Sequence, residues 1–259
     1  MGETVLATAE VASSRRDVVV AHTSDVHIDH ESTARMFQGD AAGGLRAVLV
    51  AARRVQADVV LLAGDTFDSH RLPQTAVEQS AATLREFDMP IVLLPGNHDP
   101  AVQNALFHRP ALAEIDCLRI LGVTHPHAVL FPDLELEVWG RAHCDYGDME
   151  PLAQTRPRTT RWQIAMAHGH YMPAPDRAVR LRPSWLIGDD EIAATGSDYV
   201  AIGHWNQRVS VGRGAVPAWY SGSPDFARTI NVVRLLATGE VEVGHAPLVL
   251  PDHAPTERF

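Results

Sequence analysis

The sequence predicts an α/β fold built around two β-sheets. Five short runs rich in Val, Ile, Leu and Ala have the length and composition of central strands in a covered sheet. Two stretches with helical spacing separate the first three runs, which gives the order β-α-β-α-β and therefore parallel pairing. After residue 184 the pattern changes to shorter strands with turn signals, which indicates a second, more antiparallel sheet.

The predicted elements follow one another in a simple order. The five apolar runs are residues 18–24, 58–64, 90–96, 162–168 and 199–203. The helical stretches are residues 41–56 and 73–87. The later strands are residues 207–211, 218–221, 229–236 and 240–247, the last two joined as a hairpin through Thr238 and Gly239. Residues 151–161, which have no apolar period, are expected to form an exposed loop.

Length and composition favour a globular protein with one main domain. The chain has 259 residues, of which 46% are hydrophobic and 21% charged, so it can bury a substantial core. We expect a flexible N-terminal arm at residues 1–16 and a single domain at residues 17–259. No apolar run approaches the roughly 20 residues that span a bilayer, and the first residues lack signal-peptide order, so we expect a cytoplasmic protein without membrane association.

Charge and cysteine content narrow the function classes. A net charge of -10 argues against a surface that grips nucleic acid unaided, because such binding depends on Lys and Arg neutralising phosphates. Bound dications would offset part of this charge locally. Only 2 cysteines are present, which excludes a disulfide framework and disfavours a thiolate-rich zinc site.

Residues able to bind a metal ion follow all five apolar runs. They are Asp25 and His27, Asp65, Asn97 and His98, His168, and His204. Ligand sites in open α/β sheets gather beyond the carboxyl ends of the strands, so we expect these side chains to share one crevice. On extended backbone, Asp25 and His27 would point to the same side and reach one cation. Asp65, which follows a glycine, is the predicted bridge between two cations.

The donor types indicate catalysis at a pair of divalent cations. Carboxylate, imidazole and amide donors suit manganese, iron or zinc, and two such ions about 3.5–4 Å apart would activate a water and clamp phosphoryl oxygens. His98 could protonate the leaving alkoxide or stabilise the transition state. Taken alone, an Asp-x-His pair or a Gly-Asp turn is usually structural. Gly-Asn-His-Asp is more specific, because a turn has no use for the adjoining His and Asp together.

In order and spacing, these motifs resemble the calcineurin-like metallophosphoesterase superfamily from about residue 18 onward. The resemblance implies a four-layer α/β/β/α sandwich with two mixed sheets and a dinuclear site at the strand ends. It implies Asp25, His27 and Asp65 as ligands of the first metal. It implies Asp65, Asn97, His168 and His204 as ligands of the second, with His98 as the catalytic histidine. His168 fits better than His170 because it directly follows the strand, although the His-Gly-His doublet leaves both open.

The finer resemblance is to the SbcD-like DNA repair exonuclease branch, through GDTFDSHRLP, HGHY and WYSGSPDF. The last phrase can equally be a turn before a strand. The family usually ends its last motif Gly-His-x-His, and here Asn206 offers the first metal an amide oxygen or no ligand at all. From the sequence we also expect no capping domain of the kind those nucleases carry, so a smaller phosphodiester is the competing substrate.

Several residues near the motifs have two interpretations each. Asp68, His70 and Arg71 could contact substrate or cap the following helix, and Trp205 could stack on a base or pack in the core. A group of arginines could form a phosphate-attracting rim or simply be solvated; these are Arg156, Arg158, Arg161, Arg177, Arg180 and Arg182.

Together these features predict a dinuclear metal-dependent phosphodiesterase, nuclease-like in action, with DNA or a nucleotide as substrate. Manganese is the favoured metal, and iron or zinc are the alternatives. The competing functions are a small-molecule phosphodiesterase, a phosphatase, or a metal-binding protein with weakened catalysis.

Overall fold

A computed structural model describes residues 16–176 and 184–251. The predicted N-terminal arm falls outside this range apart from Arg16, and so do Arg177, Arg180 and Arg182 of the predicted phosphate-attracting rim. The proposed boundary between arm and domain therefore stays a prediction. Within the described ranges, no helix is both long enough and apolar enough to cross a membrane.

The first sheet combines parallel strands from the start of the chain with an antiparallel pair from its end. Its strands are β1 (Val18–Thr23), β2 (Val59–Ala63), β3 (Ile91–Leu94), β4 (Leu118–Ile120), β13 (Thr229–Leu235) and β14 (Val241–Pro247). They lie in the order β14-β13-β1-β2-β3-β4, with β1 to β4 parallel. β13 runs antiparallel to both β1 and β14.

Helices α2 (Gly43–Arg54) and α3 (Gln74–Phe87) connect β1 to β2 and β2 to β3. Parallel neighbours need such crossovers. Both helices pack an apolar stripe on the outer face of the first sheet, where Leu49 and Leu84 meet Val60 and Leu62 of β2. The alternate residues of β2, Val59 and Leu61, belong to a different cluster on the opposite face. β2 is therefore buried on both sides, as its unbroken apolar run predicts.

The second sheet is also six-stranded and mixed. Its strands are β5 (Ala128–Phe131), β6 (Leu136–Gly140), β7 (Trp162–His168), β10 (Tyr199–Gly203), β11 (Val209–Val211) and β12 (Ala218–Tyr220). They lie in the order β11-β12-β10-β7-β6-β5, with the four central strands parallel and the two edge strands antiparallel.

The two sheets pack face to face and form the middle of a four-layer sandwich. Leu61 and Leu94 of the first sheet share an apolar cluster with Ile164 and Met166 of the second. Helix α5 (Asp189–Ala194) covers the outer face of the second sheet through Ile192. The remaining elements are α1 (Glu31–Met36), α4 (Pro110–Ala113), β8 (His170–Tyr171) and β9 (Leu186–Ile187). The predicted α/β/β/α architecture is confirmed.

One prediction about strand placement was wrong. The hairpin predicted at residues 229–247 belongs to the first sheet, because β13 pairs with β1. Of the five apolar runs, the first three form strands of the first sheet, and the last two, β7 and β10, lie in the second. Strands β4, β5 and β6 were missed. β6 was hidden because the fully buried Glu137 interrupts its apolar pattern; this carboxylate is paired with Arg156 and hydrogen-bonded to Thr159.

Candidate metal centre

Side chains from both sheets meet where β1, β2, β3, β7 and β10 end. Among the residues that the structure describes, three groups of side chains each bring their donor atoms within 4.8 Å of one another: Asp25, His27 and Asp65; Asp65, His168 and His204; and His27, Asp68 and His98. Asp65 belongs to the first two groups and joins them. The crevice expected from the five strand ends is present, although its walls come from two sheets.

The group around His168 is closely packed. His168 Nε2 lies 3.1 Å from Asp65 Oδ2 and 3.0 Å from Asn97 Oδ1, and His204 Nδ1 lies 3.1 Å from the same Asn97 oxygen. His168 Nδ1 donates to the backbone oxygen of Ala63 at 2.9 Å, so Nε2 is the nitrogen that would offer its lone pair to a bound cation. The partly exposed His170 lies on β8 and is absent from these three groups.

The other half of the centre is built around Asp25. This buried carboxylate accepts hydrogen bonds from Ser24 Oγ and, at 2.9 Å, from the backbone N–H of His204. His27 Nδ1 is buried and has no hydrogen bond in the described structure, although an Asp68 carboxylate oxygen lies 3.3 Å away. Asn206, the predicted amide ligand, is an exposed residue.

The backbone at these residues is left-handed rather than extended. β1 ends at Thr23, and φ is 52° at Asp25, 46° at His27 and 50° at Asp65. The prediction that extended backbone aligns Asp25 with His27 was therefore wrong. Hydrogen bonds hold the loop instead: Asp25 N donates to Gly64 O at 3.0 Å, and His27 N donates to Asp65 O at 3.1 Å. Non-glycine residues in this region are uncommon and concentrate at functional sites.

Two glycines permit the close approach of the sheets. Gly64 has φ +89°, and a Cβ there would lie 2.1 Å from His168 Nδ1. A Cβ on Gly203 would lie 1.9 Å from Ala63 O. Any larger residue would push β2 away from β7 or β10, the strands that precede His168 and His204.

His98 lies at the edge of the centre with its ring half-exposed. Its backbone N–H donates to Asp65 Oδ1 at 2.9 Å, and its Nδ1 faces the backbone oxygen of Asp68 at 3.3 Å. A proton on Nδ1 would donate to that oxygen and leave Nε2 free for substrate. The arrangement suits proton transfer better than metal ligation.

Asp99, the final residue of Gly-Asn-His-Asp, has a structural role. The carboxylate is fully buried and accepts the N–H groups of Phe67 at 3.0 Å and Gly96 at 2.7 Å. Burial, together with the charge of Asp65, raises its pKa well above the usual range. Asp99 thus ties the loop after β3 to the loop after β2. Sequence reasoning noted the residue without giving it this role.

The segment Tyr220-Ser221-Gly222-Ser223 is hydrogen-bonded to the loops that form the centre. Tyr220 Oη accepts from Tyr171 N and donates to Gly169 O, each at 2.7 Å. Ser221 Oγ lies 3.0 Å from Ser24 Oγ, which in turn donates to Asp25. The Ser223 N–H donates to Asn206 O at 3.2 Å. The turn interpretation is too weak for this segment, because it connects three of the ligand loops.

At the centre, two buried groups of opposite charge shift each other's pKa values. Burial would lower the pKa of His168, but Asp65 raises it to about 9. In return, burial would raise the pKa of Asp65, yet the His168 charge holds it below its usual range. Burial and His168 lower the pKa of His204 to about 3, and burial raises the pKa of Asp25. Without a cation, a proton on His168 offsets the carboxylate charge.

The donor set fits divalent cations. Carboxylate, amide and imidazole donors from separate loops converge at about 3 Å, and His27 Nδ1 is buried without a hydrogen bond. Ligand atoms around one cation have similar spacings, and oxygen with nitrogen donors suits borderline dications. Asn97, His168 and His204 with Asp65 would hold one ion, and Asp25 and His27 with Asp65 the other.

The predicted substrate residues lie in different environments. Among them, His70 is buried and its Nδ1 lies 2.6 Å from Tyr146 Oη. Arg71 is exposed, and Trp205 is half-exposed with its ring 6.2 Å from that of His170. None of the loop residues caps α3, whose N-cap is Pro73 without a side-chain hydrogen bond.

The described arginines of the predicted rim serve the fold. Arg156 pairs with Glu137, Arg158 with Asp198 at 2.6 Å, and Arg161 donates to Ala237 O. Asp198 precedes β10, whereas the metal centre follows the other end of that strand. For these three residues the predicted phosphate-attracting rim is wrong: they hold residues 151–161 at the strand ends that lie away from the metal centre.

A cavity of about 1000 Å³ opens beside the centre. Asn97, His98 and His204 of the centre line it, and so do the apolar side chains of Tyr146, Met172, Trp185 and Leu186. Substrate can therefore approach from the side on which His98 is exposed.

Comparisons with known proteins agree with this geometry. The family model for calcineurin-like phosphoesterases matches residues 18–208. The SbcD subunit of the SbcCD nuclease from Bacillus subtilis (strain 168) is 22% identical, over an alignment that covers 83% of this chain and 65% of the relative. The chain thus spans less than two thirds of that relative.

Two solved structures share the fold at low identity. The protein TT1561 of Thermus thermophilus has a TM-score of 0.52 and 14% identity, with coverage of 89% of this chain and 99% of that one. A second crystal structure has a TM-score of 0.57 and 11% identity, with coverage of 90% and 99%. In both cases the structural similarity to this chain extends over the whole sandwich.

Proposed function

The chain belongs to the calcineurin-like phosphoesterase family and is a metal-dependent phosphoesterase, and from this premise we propose that it hydrolyses phosphodiesters with two bound divalent cations. The observation that carries the proposal is the position of Asp65, which lies in both the Asp25–His27 group and the His168–His204 group. A carboxylate has two oxygens, so one residue can serve two neighbouring ions.

The proposed ligands follow the loops of the centre. The first ion takes Asp25, His27 and Asp65, with Asn206 as a weak ligand at its exposed side. The second takes Asp65, Asn97, His168 and His204. Manganese is the proposed metal, since hard oxygen donors balance the imidazoles, and iron or zinc would accept the same set.

When bound, such a pair of cations lowers the pKa of a water and neutralises phosphoryl oxygens. The protein residues do the rest. The attacking water would lose a proton to solvent as its oxygen bonds to phosphorus, and the bond to the leaving oxygen would break. His98, protonated on both ring nitrogens, would give its Nε2 proton to that leaving oxygen. Asp99 and the N–H of His98 keep the two loops in register during this step.

Two substrate classes compete within this proposal. Likeness to a nuclease component supports DNA. The net charge of -10 and the structural use of Arg156, Arg158 and Arg161 support a small diester instead. We place a nuclease-like activity first and a small-molecule phosphodiesterase second. The exposed Asn206 favours a third candidate, a metal-binding protein with weakened catalysis. The cytoplasmic location stays a prediction.

The test is hydrolysis of linear single- and double-stranded DNA beside bis(p-nitrophenyl) phosphate, with manganese and with a chelator as control. Cleavage of both that the chelator abolishes supports the nuclease, and cleavage of the small diester alone supports the second class. His98→Gln should lower kcat on every cleaved substrate by about 10²–10⁴-fold while two manganese ions still bind. Metal uptake without turnover on any substrate would refute the enzyme and leave the binding protein.

A further inference from the structure

We infer that the cavity beside the metal centre binds an aromatic group carried by the phosphate ester. The inference rests on the proposed function and narrows its substrate class to esters with a planar ring, such as aryl or nucleoside phosphates. We call the part of the cavity that is lined by Tyr146, Met172, Trp185 and Leu186 the aromatic pocket.

Exposed apolar side chains gather at this place. In residues 16–176 and 184–251, seven large hydrophobic side chains are exposed, and three of them are Tyr146 at 56%, Trp205 at 47% and Met172 at 39%. Tyr146 and Met172 line the cavity, and the Trp205 ring contacts His170, which lines it too. Exposed apolar surface that clusters beside a reactive site usually marks a ligand-binding surface.

The Tyr146 ring is held at its polar end. Its hydroxyl lies 2.6 Å from Nδ1 of the buried His70. The hydrogen bond fixes the direction of the side chain, and the residue as a whole stays 56% exposed. His70, which the sequence predicted to touch substrate, acts here by orienting Tyr146.

The Trp185 ring is fixed in a similar way. Its Nε1 donates to Gly147 O at 2.9 Å, and its ring packs edge-on against His143 at 5.2 Å and His204 at 5.8 Å between centroids. The backbone of Trp185 is left-handed, with φ 45°, and its N–H donates to Asp148 Oδ1 at 2.9 Å. Strain of this kind persists where the surroundings hold it, often at ligand sites.

The position of the pocket determines what it can bind. The same cavity is lined by Asn97, His98 and His204, so an ester whose phosphorus lies at the metal centre places its substituent in the aromatic pocket. A volume of about 1000 Å³ is at the upper end for ligand pockets and admits a nucleoside. Because both rings are already oriented, a planar substituent would lose little affinity to ordering them.

The experiment measures binding of three phosphonates to the manganese-loaded protein by isothermal titration calorimetry. Methyl-, cyclohexyl- and phenylphosphonate carry the same anion and differ only in the substituent. We expect phenylphosphonate to bind about tenfold more tightly than methylphosphonate, the low end of base–aromatic stacking. It should also bind more tightly than cyclohexylphosphonate, which has similar size but is not planar.

Variants separate the pocket from the metal centre. Tyr146→Ala should lower the phenyl-to-methyl ratio by at least about threefold, whereas Tyr146→Phe, which keeps the ring, should preserve most of it. Leu130→Ala, at an equally exposed residue on β5, is the matched control and should change nothing. A wild-type ratio near one, or equal binding of the phenyl and cyclohexyl compounds, would overturn the aromatic pocket and leave the phosphoesterase proposal intact. Failure of all three phosphonates to bind would also overturn the aromatic pocket, and the hydrolysis assay would decide the phosphodiesterase proposal separately.

Discussion

Single residues at the metal centre adopt backbone conformations that their own side chains disfavour. Asp25, His27 and Asp65 all have left-handed φ, and each such residue costs about 1–3 kcal/mol. Hydrogen bonds from Asp25 N to Gly64 O and from His98 N to Asp65 Oδ1 offset part of this strain. The folded chain therefore holds its donor atoms in place in advance, which reduces the ordering that a cation would have to induce.

Asp65→Asn tests the bridging role at this scale. The substitution removes the shared charge but keeps the size of the side chain, so we expect manganese stoichiometry to fall from two to at most one. Activity should fall by more than about 100-fold, because even outer partners of metal ligands contribute 10–100-fold. Calorimetric titration with manganese gives the stoichiometry.

The matched control is Asp133→Asn, at an exposed acidic residue remote from the centre in sequence. It should bind two ions with unchanged affinity. Two ions bound by Asp65→Asn as tightly as by the wild type would remove Asp65 from the bridging position.

At the scale of elements, the ends of β2 and β7 approach each other because Gly64 lacks a side chain. The His168 ring occupies the space that a Cβ would take. β2 is apolar and buried on both faces, so its register resists adjustment. The glycine therefore sets how closely the two sheets approach at the edge that carries the ligands.

Gly64→Ala and Gly39→Ala form a pair that isolates this contact. Their φ angles are +89° and +90°, but a Cβ on Gly39 meets nothing within 4 Å. Each substitution should lower the unfolding free energy by about 1–2 kcal/mol, because alanine is strained in the left-handed backbone conformation. Gly64→Ala should lose about 1–3 kcal/mol more through overpacking and should weaken metal binding. Urea denaturation of the metal-free proteins measures the difference, and equal losses would contradict the packing argument.

At the scale of the whole molecule, the two sheets enclose a small polar cluster in their apolar interface. His22 of β1 is fully buried, and its Nδ1 lies 2.9 Å from Tyr199 Oη of β10. Asn231 of β13 donates to the same hydroxyl at 3.3 Å. Burial lowers the pKa of His22 to about 3 from 6.5, so the sandwich contains a histidine that stays neutral.

This histidine makes the fold sensitive to acid. A group whose pKa is lowered by folding contributes stability above its unfolded pKa of 6.5, and the contribution is lost as the pH falls toward 3. His22→Gln, which can keep a polar contact to Tyr199, should remove that dependence. From about pH 6 to about pH 4, the wild-type unfolding free energy should fall about 1.4 kcal/mol per pH unit more steeply than that of the variant. Parallel curves in urea denaturation would show that His22 does not remain neutral.

The sequence by itself determined which segments form the central strands and which residues are candidate metal ligands. β7 and β10 begin and end where their apolar runs do, because full burial on both faces leaves an unbroken hydrophobic signal. The five donor-bearing strand ends were visible for the same reason, since each polar ligand follows directly on such a run. The family resemblance then supplied the four layers.

Only the tertiary structure decided which strands pair and how the ligand loops are held. β13 joins β1 rather than the second sheet, and pairing partners depend on packing between distant segments. The left-handed backbone at Asp25 and His27 depends on hydrogen bonds to Gly64 and Asp65, across a gap in sequence that no local pattern spans. The same holds for His70, whose ring is buried and hydrogen-bonded to the distant Tyr146. Local composition sets what a segment can become, and contacts between distant segments set where it goes.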